Sequence, residues 1–240
     1  MKSCLISVLG VGWGNRLAFT LAEVLITLGI IGVVAAVTLP SLVANYQKQV
    51  LATQLKKEVS FIQNAFRKII ADEEVSDFAS SSFVIPTVLQ GDSGLENSYR
   101  IDFEKFASYF NLQKAGAETL FQKFVPENVQ GYILNNGSCI ASYYDPSIRG
   151  TLESGDMIII DVNCDQKPNS IGLDRFVFTT YINIPDKFIS LADYGLMEDS
   201  MVQSIKQMCV KEPEGLDSQS KIVMSVYCGY LMVYNGYEFK

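Results

Sequence analysis

The chain has 240 residues, with 26 acidic against 19 basic side chains and no histidine. The missing imidazole removes the commonest general base, the Ser-His-Asp and Cys-His arrangements and the usual zinc ligands. The acidic balance argues against a general nucleic-acid binder, because phosphate binding needs clustered lysine and arginine.

Residues 1–18 hold an apolar stretch, Cys4 to Trp13, with Lys2 and Arg16 as their only charges. A conventional secretory signal is one reading of this leader, but Arg16 stands where a small residue is wanted before a cut at Ala18. A start site assigned too far upstream also accounts for its length. Gly10, Gly12 and Gly14 follow no credible strand and open no βαβ unit, so they are not read as a dinucleotide loop.

From Phe19 to Leu39 the chain is apolar and long enough to cross a hydrocarbon core of about 30 Å at ~1.5 Å per residue. Between Arg16 and Lys48 the only charged side chain is Glu23. Such a carboxylate costs roughly 2.5–3.5 kcal/mol near the membrane interior on insertion scales, which marks it as a functional group. The basic flank, Lys2 and Arg16, predicts a cytoplasmic N-terminus with the remainder outside.

Phe19-Thr20-Leu21-Ala22-Glu23, the apolar span and Pro40 together resemble the type IV pilin and type II secretion pseudopilin superfamily. The resemblance implies a prepilin peptidase cut between Ala18 and Phe19, where the family usually has glycine before the cut. It further implies methylation of the Phe19 amine, assembly through Glu23, and a helix kink at Pro40. Implied partners are the peptidase, other pilin-like subunits, an inner-membrane assembly platform and membrane lipid, with no direct nucleic acid. The expected location is the inner membrane, single-pass, with assembly into a periplasmic or surface fibre. The cysteines that remain, Cys139, Cys164, Cys209 and Cys228, allow three pairings. Cys209 and Cys228 resemble the C-terminal disulfide loop of many pilins, which leaves Cys139 with Cys164.

Past Pro40, Leu51, Leu55, Val59, Ile62, Phe66 and Ile69 recur at spacings of three and four and predict an amphipathic continuation of the helix to about residue 75. Residues 76–240 then form an acidic head with 21 acidic against 12 basic side chains. Helices are predicted at Asp102–Phe110, Ala117–Phe124 and Met197–Val210. Strands are predicted at Tyr132–Leu134 and Cys139–Tyr144 around Asn135-Asn136-Gly137, then at Met157–Val162, Arg175–Ile182 and Ile222–Tyr227. A second hairpin is read at Leu231–Tyr234 and Tyr237–Phe239 around Asn235-Gly236. The fold class is α+β, a long N-terminal transmembrane helix (19–43, then 44–75) carrying an antiparallel sheet.

One loop has metal-ligand spacing. Asp161, Asn163 and Asp165 alternate oxygen donors as a Ca²⁺ site does, without the EF-hand turn glycine or closing glutamate. The loop also resembles one in bacterial pilin-like proteins that has glycine where Cys164 stands. The alternative is a polar turn capping its own backbone. No catalytic arrangement is found, so a non-enzymatic structural subunit is expected. The readings are a type II secretion pseudopilin, a type IV pilus or DNA-uptake pilin, or a surface binding protein that uses the helix as an anchor.

Overall fold

The computed structural model describes residues 20–91, 94–115, 129–144, 156–164, 166–180, 199–210 and 215–239. Helix α1 (Leu21–Asp72) is its longest element and continues through Pro40. Proline has no N–H, so the carbonyl of Ala36 loses its usual helical donor. Nearby, the Thr38 hydroxyl donates to the Val34 carbonyl at 2.9 Å. The chain divides into two compact units, Met1–Asn45 and Tyr46–Lys240. The described part of the first is helix from Leu21 onward. Its apolar side chains are exposed, Leu21 at 79% and Val37 at 73%.

In the second unit the helix changes character as its periodicity requires. Leu51, Leu55, Val59, Ile62, Phe66 and Ile69 are all buried, while Lys56, Lys57, Arg67 and Lys68 face solvent. The helix ends at Asp72, three residues short of the predicted limit, and a short 3₁₀ turn follows at Phe78–Ser80. Asp77 caps that turn by accepting from the Ser80 N–H at 2.8 Å. Strands β1 (Val84–Gly91) and β2 (Gly94–Ile101) then pair antiparallel in a sheet of their own. Neither was legible in the sequence: Pro86 interrupts the first run, and proline inside a strand demotes it to an edge.

Helix α2 (Phe103–Tyr109) lies where predicted. It starts because Asp102 accepts from the Lys105 N–H at 3.0 Å. The main sheet has the order β3-β4-β5-β6-β7, all antiparallel, from β3 (Gln113–Lys114), β4 (Gly131–Ile133), β5 (Cys139–Tyr144), β6 (Asp156–Asp161) and β7 (Arg175–Thr179). The β4–β5 hairpin turns at Asn135-Asn136-Gly137, with Gly137 at φ 88°. The predicted Ala117–Phe124 helix lies outside the described residues.

The sheet is buried on both faces, as strand alternation allows when helices cover each side. Ile158, Ile160, Phe176 and Phe178 join the α1 stripe and Phe106 in one cluster. Met157, Ile159 and Val177 point the other way, into a cluster with Ile222, Met224 and Cys228.

Those last three residues correct the predicted C-terminus. Helix α3 (Asp199–Val210) agrees with expectation, but Ile222–Tyr227 is not a strand and Leu231–Phe239 is not a hairpin. Both segments read as strand because a run of apolar and β-branched residues has no strong period. A helix, α4 (Ser218–Tyr234), runs through them. Asp217 caps its start by accepting from the Ser220 N–H at 2.7 Å. Asn235-Gly236 ends it, with Gly236 at φ 67°, so the dipeptide that signals a hairpin here serves as a helix C-terminus. Helix α4 packs along β7, the end strand of the sheet. A Cβ on Gly229 would lie 2.8 Å from the Val177 carbonyl oxygen, so only glycine permits that approach.

Candidate functional site

The site singled out by the sequence is the start of α1. Thr20 and Glu23 form a reciprocal cap. The Thr20 N–H and hydroxyl each donate to Glu23 Oε2 at 2.8 Å, and the Glu23 N–H donates to Thr20 Oγ1 at 3.2 Å. This arrangement satisfies amide groups that the first helical turn leaves open. Glu23 lies on an exposed, otherwise apolar helix. Among the described residues its carboxylate meets only Thr20. Helix α1 is long and apolar enough to cross a membrane, and none of its apolar window is buried by the rest of the chain. Ala18 and Phe19, at the predicted cut, lie outside the described residues.

Both sequential disulfides form. Cys139 of β5 bonds Cys164 in the loop after β6, and Cys209 of α3 bonds Cys228, which sits on α4 rather than at the end of a strand. Cys164 has φ 58°, a backbone region that favours glycine, which explains why glycine suits this place in the resembling loops. Here the bond to Cys139 fixes the strained residue. Gly172, at φ 78°, is equally constrained: a Cβ there would lie 2.9 Å from the Cys209 carbonyl oxygen.

Of the three residues considered for a calcium site, Asp161 and Asn163 are described, and both hold protein partners. The Arg175 Nε donates to Asp161 Oδ2 at 2.7 Å in a pair whose carboxylate is fully buried. The guanidinium thus takes one oxygen of the Asp161 carboxylate. The Asn163 Nδ2 donates to the Lys167 carbonyl at 3.3 Å, its buried Oδ1 has no hydrogen-bond partner among the described residues, and Asp165 lies outside them. Asp174 is buried, accepting from the Asn169 N–H at 2.6 Å and the Ser170 N–H at 2.7 Å. Among the described residues no three acidic or cysteine side chains converge as a metal cluster.

Two further buried carboxylates went unnoticed in the sequence. Glu58, on α1, accepts from Asn136 Nδ2 and so ties the helix to the β4–β5 turn; burial raises its pKa. Asp156, fully buried at the start of β6, accepts from the Ile101 N–H at the end of β2 and joins the two sheets. Burial pushes Asp156 up to about 7. Nothing but an acidic residue at the edge of an apolar strand signalled it.

A raised folded-state pKa means that the folded head binds more protons than the unfolded chain between the ordinary carboxylate range and about pH 7. Its contribution to stability is therefore full below the unfolded pKa and is lost as pH rises through about 7. The full-length protein in detergent should be more stable at mildly acid pH than above neutrality, by about 2 kcal/mol from this one group, and so melt at a higher temperature. Asp156→Asn, which keeps an acceptor for Ile101, should reduce that slope without abolishing it, because burial also pushes Asp161 up to about 7. Thermal melts by near-ultraviolet dichroism across the range check both, and an unchanged slope in the variant would remove Asp156 from the account.

Residues 13–39 match the prokaryotic N-terminal methylation motif, the hallmark of type IV pilin and pseudopilin precursors. No curated protein and no solved structure matches the chain. A prepilin-type motif at the start of an exposed apolar helix, followed by an antiparallel α+β head, fits a membrane-anchored protein of pilin type. The motif carries with it processing by a prepilin peptidase and assembly with other pilin subunits.

Proposed function

We propose that the chain is a pseudopilin, a non-catalytic structural subunit of a type II secretion-like fibre that moves folded proteins outward. The observation that carries this reading is Glu23: a carboxylate on an exposed apolar span, in register with the methylation motif, whose contacts among the described residues are confined to Thr20. In a lone anchor it is a liability in lipid, whereas in a fibre it can meet the α-amine of a neighbouring Phe19. The inner membrane then holds α1 with its N-terminus cytoplasmic and the head outside, on the assembly platform. Two disulfides support that topology, since such bonds persist in oxidising compartments. The acidic head favours a secretion subunit over one that captures DNA directly.

Deleting the gene tests the choice of system. A secretion subunit predicts that exported proteins accumulate behind the outer membrane and that the intact gene restores their release. Normal export with loss of pilus-dependent motility or DNA uptake would assign the chain to a pilus instead.

A further inference from the structure

Strands β1 and β2 form a two-stranded sheet that no other strand joins among the described residues, an arrangement only marginally stable in water by itself. Their register shows which backbone groups are left over. Val84 lies opposite Ile101 and Pro86 opposite Tyr99. The Ile101 N–H leaves the hairpin and is taken by Asp156, whereas the Asp102 N–H donates to the Phe83 carbonyl at 2.8 Å. Antiparallel ladders alternate bonded and non-bonded pairs, so Ile101, Tyr99, Asn97 and Leu95 all turn their N–H and C=O groups away from β1.

The two outer edges differ. Pro86 holds an outward position of β1, where it has no N–H to offer a further strand. On β2 no backbone group of the described residues outside the hairpin pairs with Tyr99, Asn97 or Leu95. A row of donors and acceptors that repeats about every 6.8 Å is matched by another extended backbone. The charges of β2 say which one. Glu96 and Arg100 are the only charged residues of the two strands, and they stand two positions either side of Ser98. A second β2 laid antiparallel along this edge, Ser98 opposite Ser98, keeps the outward residues in hydrogen-bonded register, Asn97 against Tyr99. The same register sets each Glu96 opposite the Arg100 of the other copy. Centring the pair on Asn97 keeps the ladder but loses both charge pairs. Beside Arg100 and Ile101 a cavity of about 570 Å³ separates the hairpin from Ser142 and Tyr144 of β5 and leaves space for the end of an added strand.

We propose that two copies of the chain pair edge to edge through β2, forming a four-stranded antiparallel sheet with a two-fold axis at Ser98. The contact is self-complementary, as a two-fold pair requires. It is also small, so the pair is reversible and sensitive to salt. It involves the head alone, whatever the placement of the head on α1, and does not use Glu23, so its failure and that of the fibre reading are separable.

The test is disulfide trapping of the full chain, in detergent and in cell membranes, with variants that retain both native disulfides and the native near-ultraviolet dichroism. Residues facing each other in a non-hydrogen-bonded pair have Cα atoms about 4.5 Å apart, within the reach of a disulfide. Ser98→Cys should therefore join to its own copy under mild oxidation. Thr87→Cys, three strand spacings or about 14 Å from its counterpart, should not. Adding Glu96→Lys or Arg100→Glu to Ser98→Cys sets like charges opposite and should cut the crosslinked fraction at least fivefold, while the two reversals together should restore it. Trapping should persist in Glu23→Val. The proposal is overturned if folded Ser98→Cys stays monomeric, if Thr87→Cys is trapped equally, if the single reversals change nothing, or if the double reversal fails to rescue. It is likewise overturned if Glu23→Val abolishes trapping or if, in cell membranes, Ser98→Cys joins to a different protein instead of to its copy.

Discussion

Glu23→Val protein should enter the membrane as well as the natural chain and form no crosslinked ladder of subunits. Two unit charges about 4 Å apart attract by roughly 4 kcal/mol at an effective dielectric near 20, comparable with the cost of placing a carboxylate in the membrane. Removing the carboxylate therefore favours insertion while abolishing the contact that sets register between neighbours. The variant also strips the Thr20 cap, a loss of about 1 kcal/mol to the helix start. Glu23→Gln separates the two effects, because an amide can still accept from the Thr20 N–H but carries no charge. It should be as defective in assembly as Glu23→Val, with Glu23→Asp intermediate. Crosslinking of membranes, with export of a reporter measured alongside, reads all three. Normal ladders from Glu23→Gln would show that capping, not charge, is what assembly needs.

The second large effect is expected at Cys209–Cys228. The bond closes a 19-residue separation between α3 and α4, and a loop of that size stabilises by about 3 kcal/mol in the chain-entropy model. Replacing both cysteines by alanine should lower stability by that order, since α4 covers the end of the sheet at β7 and contributes to both core clusters. Urea unfolding of the full chain in detergent, with the Cys139–Cys164 bond left intact, measures it. A change below about 0.5 kcal/mol would mean that packing around Gly172 and Gly229 alone fixes the helices.

The N-terminal half of the account was open to reading because its physics is one-dimensional. An uninterrupted apolar span, a lone acid and a stripe at spacings of three and four each have one straightforward solution, and the burial of Leu55, Ile62 and Phe66 agrees with the stripe. The hairpin at Asn135-Asn136-Gly137 was legible because short apolar, strand-forming runs flank it on both sides. The same dipeptide chemistry misled at Asn235-Gly236, where a left-handed glycine closes a helix. Tertiary packing decided that case: α4 must present Cys228 to Cys209 and Gly229 to Val177 at once. Residues 84–101 gave too little alternation around Pro86 to be read as paired strands. Of the site, the cap between Thr20 and Glu23 was implicit in their spacing, but the capture of Asp161 by Arg175 was not, because strand register brings the two together.

The most direct test of the account is the mass of the mature N-terminal peptide, isolated from membranes of cells that carry the peptidase. It should begin at Phe19 and be one methyl group heavier than the unmodified sequence, with residues 21–43 retained. An unmethylated terminus elsewhere in residues 1–18, or a mature chain from which the apolar span has been removed, would contradict it.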